Sequence, residues 1–295
     1  MLDNKTLRYF LTLSETLHFS KASQILHVSP STLSRSIRQL ESQLQCHLFL
    51  RDNRTVELTA DGILFLQYAR DSIQQWEQLR ESLSLGRQEL RGIISLYCSV
   101  TASYSFLHEV LQKFRFDFPG IEIVLHTGDT EDAIDRVLNN QEDIAIAAKP
   151  RRMPAGLAFE TLGETPLVLI APKDADFQKK FPTIDKTDKN FWEKVPMILP
   201  EKGVFREQID HWLNKESFSP NIYAQIGGNE AIVSMVSLGF GIAWVPLIVV
   251  ENSPLANQVQ LISGQPQFQS IAVGFCARNK RLQSPLVKAL WNSII

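Results

Sequence analysis

Two short helical patterns that meet at a turn constrain the fold of this chain more than any other feature, and they occupy residues 20–44. In the first pattern Ser20 is a candidate N-cap, and three apolar residues follow at helical spacing: Ala22, Ile25 and Leu26. The second pattern opens with Ser29-Pro30, because serine can cap free N–H groups and proline fits the first helical position. Its apolar residues, which we expect to face inward, are Leu33, Ile37, Leu40 and Leu44.

The opposite face of the second helix carries side chains that can donate hydrogen bonds to base edges and phosphates in a major groove: Ser31, Thr32, Ser34, Arg35 and Arg38. A solvated polar helix face is the alternative, and the next segment decides between the two. Arg51 and Arg54 flank the turn signal Asp52-Asn53, and residues 55–58 return as an alternating strand, so both arginines suit phosphates or a minor groove. The sequence therefore predicts a winged helix-turn-helix with these DNA contacts: Ser29, Ser31, Thr32, Ser34, Arg35, Arg38, Arg51 and Arg54.

The residues around these motifs resemble the N-terminal signature of the LysR-type transcriptional regulators. The matching positions are Leu7-Arg-Tyr-Phe10, Phe19-Ser-Lys-Ala-Ser23, Ser29-Pro-Ser-Thr-Leu-Ser-Arg35, Ile37, Leu40-Glu41, Leu48-Phe49, Arg51, Arg54, Leu58-Thr59 and Gly62. The resemblance implies a regulator that binds a double-stranded DNA operator, contacts RNA polymerase, and forms a homodimer through a linker helix and then a homotetramer. It also implies an effector domain of two α/β subdomains, arranged like a periplasmic binding protein, with a ligand in the cleft.

The composition fits a protein of two domains. With 295 residues, of which 44% are apolar, the chain can build more than one core. It has no stretch of about 18 uncharged apolar residues, and its first residues lack a signal-peptide apolar region, so we expect no membrane span and a cytoplasmic location. Cys46, Cys98 and Cys276 have no Cys-x-x-Cys spacing, which favours buried packing residues in a reducing compartment.

Charge is distributed unevenly along the chain. Residues 1–58 hold seven Lys/Arg and five Asp/Glu, a net charge of +2, whereas the whole chain carries −2. Such a small excess cannot bind DNA by bulk charge alone, so we expect the basic groups to be focused on one face of the N-terminal domain.

Residues 59–85 have a helical pattern without proline, which Thr59-Ala-Asp61 can start and Gly86 can end. Its apolar residues follow a heptad-like seam: Leu66, Ala69, Ile73, Trp76 and Leu83. Such a helix could pack on its own domain, but a polar helix with one narrow stripe is better explained by pairing with a second copy. We therefore assign residues 59–89 to a linker and dimerisation helix.

Strands and helices alternate after residue 90, which predicts right-handed crossovers and a parallel sheet. The predicted strands are 93–98, 121–126, 143–147, 167–171, 197–199, 222–226, 241–245 and 269–276. The predicted helices are 103–118, 131–139, 205–213, 231–238 and 285–294. The fold class is thus a two-domain chain, α+β followed by α/β: a winged helix-turn-helix at 1–58, the linker helix at 59–89, and a two-subdomain effector domain at 90–295, with subdomain I at about 90–163 and 266–295 and subdomain II at about 164–265.

Ligands of open α/β sheets bind beyond the C-terminal ends of strands, next to helix starts. The first such junction, residues 99–103, places three hydroxyls together, which favours a carboxylate site over simple helix capping. Lys149 is either cleft-lining or plain surface, and Arg206 is the candidate for a second anion contact. The predicted effector-binding residues are Ser99, Val100, Thr101, Ala102, Ser103, Thr127, Lys149, Phe205, Arg206, Gly228 and Asn229.

Several segments also resemble one subgroup of LysR-type regulators, the activators of the acetohydroxy acid isomeroreductase gene in isoleucine and valine synthesis. The matching segments are 51–56, 98–102, 127–129, 223–228 and 230–236. The resemblance implies that the inducer is 2-acetolactate or 2-aceto-2-hydroxybutyrate and that no cofactor is bound. The alternative is a LysR-type regulator of another pathway with a different small carboxylate effector, because one fold serves many effectors.

An enzyme and a pure solute-binding protein are the rival classes. The six histidines, at positions 18, 27, 47, 108, 126 and 211, have no metal-ligand spacing, and no nucleotide-binding motif occurs. Ser99 has no visible base partner, so a nucleophile is not supported. We therefore predict no catalytic and no metal-binding residues, and the DNA-binding motifs argue against a solute-binding protein.

Overall fold

A computed structural model describes residues 2–51, 55–84, 90–181, 189–216, 219–262 and 266–294 of the chain. The chain divides into two compact units, one formed by residues 1–88 and 139–141 and the other by residues 89–138 and 142–295. Among the described helices, none is both long and apolar enough to cross a membrane.

The first unit contains a helical head, a short hairpin and a long helix. Its elements are α1 (Asn4–Thr16), α2 (Phe19–Ile25), α3 (Pro30–Leu44), β1 (Phe49–Arg51), β2 (Val56–Leu58) and α4 (Ala60–Ser84). The two strands pair antiparallel, with Phe49 opposite Leu58 and Arg51 opposite Val56. The predicted wing is therefore present as a hairpin, while its turn and the predicted contact Arg54 lie outside the described residues.

Side-chain caps fix where the helices of the head begin. Ser29 accepts a hydrogen bond from the backbone N–H of Thr32 and Pro30 is the first residue of α3, so the predicted start of this helix is confirmed. The predicted N-cap Ser20 is wrong, because the Nδ1 atom of His18, two residues earlier, caps α2, which begins at Phe19. α4 spans Ala60–Ser84, and the hydroxyl of Thr59 caps it by accepting the N–H of Gly62.

The core of the head lies between α1, α3 and the first turns of α4. Of the four apolar residues predicted to face inward on α3, Leu33, Ile37 and Leu40 are buried, but Leu44 is 41% exposed. Leu44 is the last residue of the helix, and Gln45 then turns into the left-handed region (φ 55°), so the final turn extends past the core.

The second unit contains two layers of strands with helices around them. Its helices are α5 (Val100–Ser105), α6 (Leu107–Asp117), α7 (Ala133–Leu138), α8 (Ala175–Lys180), α9 (Lys189–Lys194), α10 (Val204–Glu216), α11 (Asn229–Ser237), α12 (Leu247–Glu251) and α13 (Pro285–Asn292). Its strands are β3 (Gly92–Cys98), β4 (Ile121–Thr127), β5 (Ile144–Ala148), β6 (Leu157–Thr165), β7 (Leu167–Pro172), β8 (Pro196–Pro200), β9 (Asn221–Ile226), β10 (Ala243–Pro246), β11 (Val259–Ile262) and β12 (Ile271–Arg278).

The larger sheet has five strands in the order β4-β3-β5-β12-β6. Together with the helices α5–α7 and α13, this sheet forms what we call the large-sheet half. The smaller sheet has the order β10-β7-β11, and a parallel bridge between Met197 and Ile242 extends it towards the β8-β9 pair. With α8–α12 these strands form the small-sheet half. β6 enters β7 across the single residue Pro166, so the chain passes from one half to the other without a loop.

The prediction of a parallel sheet is correct only in part. β3 pairs parallel with β4 and β5, but β12 pairs antiparallel with β5 and β6, and β7 pairs antiparallel with β10 and β11. Alternating strands and helices indicate parallel pairing only for neighbouring strands that a crossover helix joins, whereas β10 and β12 pair with strands far away in the sequence. The strands β6 and β11 were not predicted.

The predicted helix 103–118 is two helices in the structure, α5 and α6. Phe106 separates them with a non-helical backbone (φ −122°, ψ −29°), and its ring is partly buried against the core of the large-sheet half. The break allows α5 to begin directly after β3, which places the hydroxyls of residues 99–103 at the end of the strand.

The three cysteines are free thiols, and Cys98 and Cys276 are fully buried. Burial raises the pKa of Cys98 to about 11, with a smaller contribution from the charge of Glu230, and burial raises the pKa of Cys276 to about 12. Both side chains are therefore protonated packing residues at neutral pH.

Candidate DNA-binding head and effector cavity

The exposed face of α3 carries most of the predicted DNA contacts. Ser29, Ser31, Thr32, Arg35 and Arg38 are exposed, and Ser34 is half-buried. The hydroxyl of Ser29 lies 2.9 Å from that of Ser31 and 2.8 Å from that of Thr32, so the start of the helix presents one cluster of hydroxyls. Within the described part of the chain neither Arg35 nor Arg38 has an acidic partner, which leaves both guanidinium groups available to phosphates or base edges.

Arg51 differs from the other predicted contacts because an acidic residue holds it. Its Nη2 atom lies 2.6 Å from Oε2 of Glu41, and its guanidinium lies 5.2 Å from the centre of the Phe19 ring. Oε1 of the same buried carboxylate accepts the N–H groups of Leu48 (3.0 Å) and Phe49 (3.2 Å). Glu41 thus joins the recognition helix to the first strand of the wing, and Arg51 completes that joint.

The apolar seam predicted on the linker helix is divided between residues that pack into the core of the head and residues that are exposed. Ala69 and Ile73 are buried and Leu66 is partly buried against the core of the head, together with Phe65, which the sequence analysis did not include. In contrast Trp76 (45% exposed) and Leu83 (77%) lie outside that core, and so does Leu79 (50%), another residue that was missed. Trp76, Leu79 and Leu83 follow each other at spacings of three and four residues, which places an exposed apolar stripe on the second half of α4.

A small cavity lies between the two halves of the second unit. Its volume is about 30 Å³, and its walls combine five predicted effector residues with nine that were not predicted. The predicted residues are Ser99, Thr101, Ala102, Phe205 and Asn229. The others are Phe106, Thr130, Ile146, Ala148, Thr165, Pro246, Ile248, Val249 and Val273.

The polar groups of the cavity come from both halves. Ser99 caps α5 by accepting the N–H of Ala102 at 3.1 Å. Both the N–H and the hydroxyl of Thr101 donate to Oε1 of Glu230, at 3.0 Å and 2.7 Å. Asn229, which is only 6% exposed, has a buried Oδ1 atom without a hydrogen-bond donor. A buried acceptor without a donor is uncommon in folded proteins and is satisfied when a ligand or a water molecule supplies one.

The remaining predicted effector residues lie outside the walls of this cavity. Val100 is 43% exposed, and the hydroxyl of Ser103 donates to the carbonyl oxygen of Val100 at 2.6 Å. Thr127 is exposed at the end of β4. Gly228, in the left-handed region (φ 85°), precedes the wall residue Asn229.

The two predicted cationic residues have partners near the surface. Lys149 is exposed, and its ammonium lies 5.3 Å from the centre of the Phe159 ring. Arg206 donates to Asp210 (2.7 Å), to the carbonyl oxygen of Pro200 (2.8 Å) and to Gln225 (2.7 Å). Arg206 therefore joins α10 to β8 and β9, and an effector would compete with these partners for its guanidinium.

Two further contacts connect the two halves next to Thr130, a wall residue of the cavity. Glu131, in the short 3₁₀ helix Thr130–Asp132, accepts the N–H of Val204 at the start of α10, and its carboxylate lies against Gly203. Burial, and secondly the charge of Asp129, raises the pKa of Glu131 to about 7. Lys202 forms an exposed ion pair with Asp132 at 2.6 Å. The sequence signal for these contacts is weak, because acidic residues near a helix start are usually assigned to capping.

The described residues contain no group of three or more His, Cys, Asp or Glu side chains that could hold a metal ion. Two family models match the chain. Residues 5–63 match the bacterial regulatory helix-turn-helix protein of the lysR family, and residues 87–295 match the LysR substrate binding domain. The second unit is thus a domain of the kind that binds a small molecule.

Relatives and solved structures agree with these models. The chain is 42% identical to the HTH-type transcriptional activator IlvY of Salmonella typhimurium, over 98% of both chains. It is 41% identical to the HTH-type transcriptional regulator IlvY of Escherichia coli, also over 98% of both chains. Full-length OxyR from Pseudomonas aeruginosa has the same fold, with a TM-score of 0.67, 22% identity, and coverage of 100% of this chain and 95% of that one. Full-length CbnR complexed with its target DNA gives a TM-score of 0.64 and 20% identity, over 99% of both chains. The chain belongs to the LysR family, and it is a DNA-binding transcriptional regulator rather than an enzyme.

Proposed function

We propose that this regulator activates a gene of branched-chain amino acid biosynthesis when it binds 2-acetolactate or 2-aceto-2-hydroxybutyrate. Relatives that are 41–42% identical along almost the whole chain and carry the name IlvY support this pathway. The observation that carries the proposal is the set of unlike polar groups around one apolar cavity: Thr101 offers two donors and Asn229 offers a buried acceptor without a donor.

The chemistry of a 2-hydroxy-3-keto acid fits these groups one by one. Its carboxylate accepts hydrogen bonds of the kind that Thr101 now donates to Glu230. Its tertiary hydroxyl donates the hydrogen bond that Asn229 Oδ1 lacks. Its short alkyl groups pack against the apolar side chains of Ile146, Val249 and Val273. A regulator of another pathway with a different small carboxylate is the alternative, and binding decides between them.

For the DNA complex we propose that the exposed side chains of α3 read an operator. The proposed contacts are the N-cap Ser29, Ser31, Thr32, the half-buried Ser34, Arg35 and Arg38, together with Arg54, which the sequence predicts as a contact. We assign Arg51 mainly to positioning the wing, because Glu41 and Phe19 hold its guanidinium. The exposed stripe Trp76, Leu79 and Leu83 supports a homodimer through α4, which presents two heads to a palindromic operator.

The regulatory cycle follows from coupling between the two sites. A homotetramer in the cytoplasm holds several half-sites, and the effector changes the position of the heads and the contact with RNA polymerase. The effector must bind the activating arrangement more tightly than the inactive one, since an equal affinity for both shifts no population.

Calorimetric titration of the full-length protein tests the effector. We expect saturable binding of 2-acetolactate and 2-aceto-2-hydroxybutyrate, and no comparable binding of pyruvate, which lacks the hydroxyl that Asn229 requires, or of valine. Thr101→Val removes one donor while keeping the shape of the side chain, and we expect it to abolish the response to effector but leave operator binding intact. A normal induction curve for Thr101→Val, or equal affinity for pyruvate, contradicts the proposed site.

A further inference from the structure

The contact between Glu230 and Thr101 joins the two halves of the second unit beside the cavity, of which Thr101 is a wall residue. Glu230 is the second residue of α11 in the small-sheet half, and Thr101 is the second residue of α5 in the large-sheet half. A single oxygen, Oε1 of Glu230, receives both the N–H and the hydroxyl of Thr101. The donors expected to bind an effector carboxylate are therefore occupied by a carboxylate of the chain itself.

The size of the cavity agrees with a site that is closed in the effector-free protein. A cavity of about 150 Å³ holds benzene, and a water molecule needs roughly 10–15 Å³. The present volume of about 30 Å³ has room for one or two water molecules but for no organic acid. Asn229, the residue before Glu230, still lacks a donor for its buried Oδ1 atom, so the site is shaped for a ligand that is not yet accommodated.

We propose that Glu230 is a built-in competitor of the effector: its carboxylate occupies the Thr101 donors in the effector-free protein, and the effector carboxylate must displace it. This inference rests on the proposed function, because it places the effector carboxylate at Thr101. Two carboxylates cannot accept the same two donors of Thr101 at once, and their like charges would repel each other at that site. Binding of the effector therefore breaks a contact between the two halves, which links occupancy of the cavity to their separation.

Two other contacts between the halves are consistent with this role. Glu131 of the large-sheet half accepts the N–H of Val204 in the small-sheet half, and Lys202 pairs with Asp132. In each contact a carboxylate of one half binds a donor of the other. Release of Glu230 alone leaves these two contacts in place, so the halves stay joined when the site opens.

The expected effect follows from the population of the open site. The apparent Kd equals the intrinsic Kd divided by the fraction of molecules whose site is competent to bind. If Glu230 occupies the donors nine-tenths of the time, its removal lowers the apparent Kd roughly tenfold. A residue that only braced the unit, or one that contacted the effector directly, would instead raise the Kd when it is removed.

The test compares three full-length proteins by calorimetric titration with 2-acetolactate: the parent, Glu230→Ala, and Glu251→Ala. Glu251 is an exposed residue at the end of α12, so its substitution removes the same charge from the small-sheet half without touching Thr101. We expect a Kd roughly tenfold lower for Glu230→Ala and an unchanged Kd for Glu251→Ala. An equal or higher Kd for Glu230→Ala overturns the proposal, even where 2-acetolactate binds the parent as expected.

Two further experiments cover the cases in which Glu230→Ala does not fold or 2-acetolactate does not bind. If Glu230→Ala does not fold, Glu230→Gln replaces it, since an uncharged amide is a weaker acceptor, and a lowered Kd is again expected. If 2-acetolactate binds none of the proteins, the effector assignment fails, and acetate serves as the smallest carboxylate probe. Tighter acetate binding by Glu230→Ala than by the parent then supports the role of Glu230, and equal binding overturns it.

Discussion

Substitution of Glu41 by glutamine tests how the wing is held against the recognition helix. The Glu41 side chain is 7% exposed, and it binds Arg51 and the N–H groups of Leu48 and Phe49. Glutamine keeps an acceptor for the two N–H groups but brings its own donors towards the guanidinium of Arg51. Breaking a buried ion pair costs about 3–5 kcal/mol, and the partial exposure of Arg51 (25%) places the expected loss near 3 kcal/mol.

Hydrogen exchange of the Leu48 and Phe49 amides measures this loss locally, because a chain with two units does not unfold in a single step. A loss of about 3 kcal/mol corresponds to a roughly hundredfold fall in the protection of these amides. Glu41→Ala also leaves two N–H groups without an acceptor, at about 1–3 kcal/mol each, and we expect it to unfold the head. Unchanged protection in Glu41→Gln would refute the assignment of Glu41 as the joint between α3 and β1.

The salt dependence of operator binding shows whether Arg51 also contacts DNA. Loss of one phosphate contact lowers the slope of log K against log salt by about 0.9. If Arg51 acts by positioning the wing, Arg51→Gln weakens binding but leaves this slope unchanged, and it reduces amide protection as Glu41→Gln does. A slope lower by about one unit, with normal protection, would instead identify Arg51 as a direct phosphate contact.

The recognition helix, the linker helix and the cavity each offer a further test. Arg35→Ala should weaken operator binding by about 1–3 kcal/mol in a titration at fixed salt while leaving effector affinity unchanged, and equal operator affinity would contradict this. Leu79→Arg should lower the mass measured by light scattering, because it places a charge in the exposed stripe through which we propose that α4 pairs with a second copy. An unchanged mass would remove the stripe from the proposed interface. Glu131→Gln should stabilise the protein at pH 8 but not near pH 4: the folded-state pKa of about 7 lies above the ordinary value of 4.5, so the parent loses stability as the pH rises through that interval. If the stability of parent and variant depended on pH in the same way, the charged form of Glu131 would not be disfavoured by burial.

Periodicity predicted most of the elements because each of them follows a local rule. Ser29-Pro30 starts α3 and Thr59 starts α4 through hydrogen bonds to residues three positions away, and such contacts can be inferred from neighbours in the sequence. The inward-facing residues of α3 also follow from helical spacing, except for Leu44, where the helix extends past the core of the head. That limit depends on which distant residues pack against α3, and local spacing does not encode them.

The cavity was predicted less completely, since its walls come from distant parts of the chain. Ser99, Thr101 and Asn229 could be found because each lies where a strand ends and a helix starts. Thr165 and Val273 belong to β6 and β12, an antiparallel pair that the alternating pattern did not reveal. Glu230 was missed as a participant because its partner Thr101 is 129 residues away, and an acidic residue in a first helical turn is ordinarily explained by the helix dipole.

The position of Glu230 also separates two classes of effector that Asn229 alone does not distinguish. A hydroxy acid and an amino acid both carry a carboxylate for Thr101 and a donor for Asn229 Oδ1. The ammonium of an amino acid, however, needs a negative partner in an apolar cavity, and Glu230 carries the carboxylate bound to the wall residue Thr101. Glu230→Ala should therefore have opposite consequences: it removes a competitor of a hydroxy acid, whose Kd falls, but it removes the counter-ion of an amino acid, whose Kd rises. Titration of the parent and Glu230→Ala with 2-acetolactate and with valine compares the two directly. A lower Kd for valine in the variant would show that Glu230 opposes any carboxylate and does not select against the ammonium group.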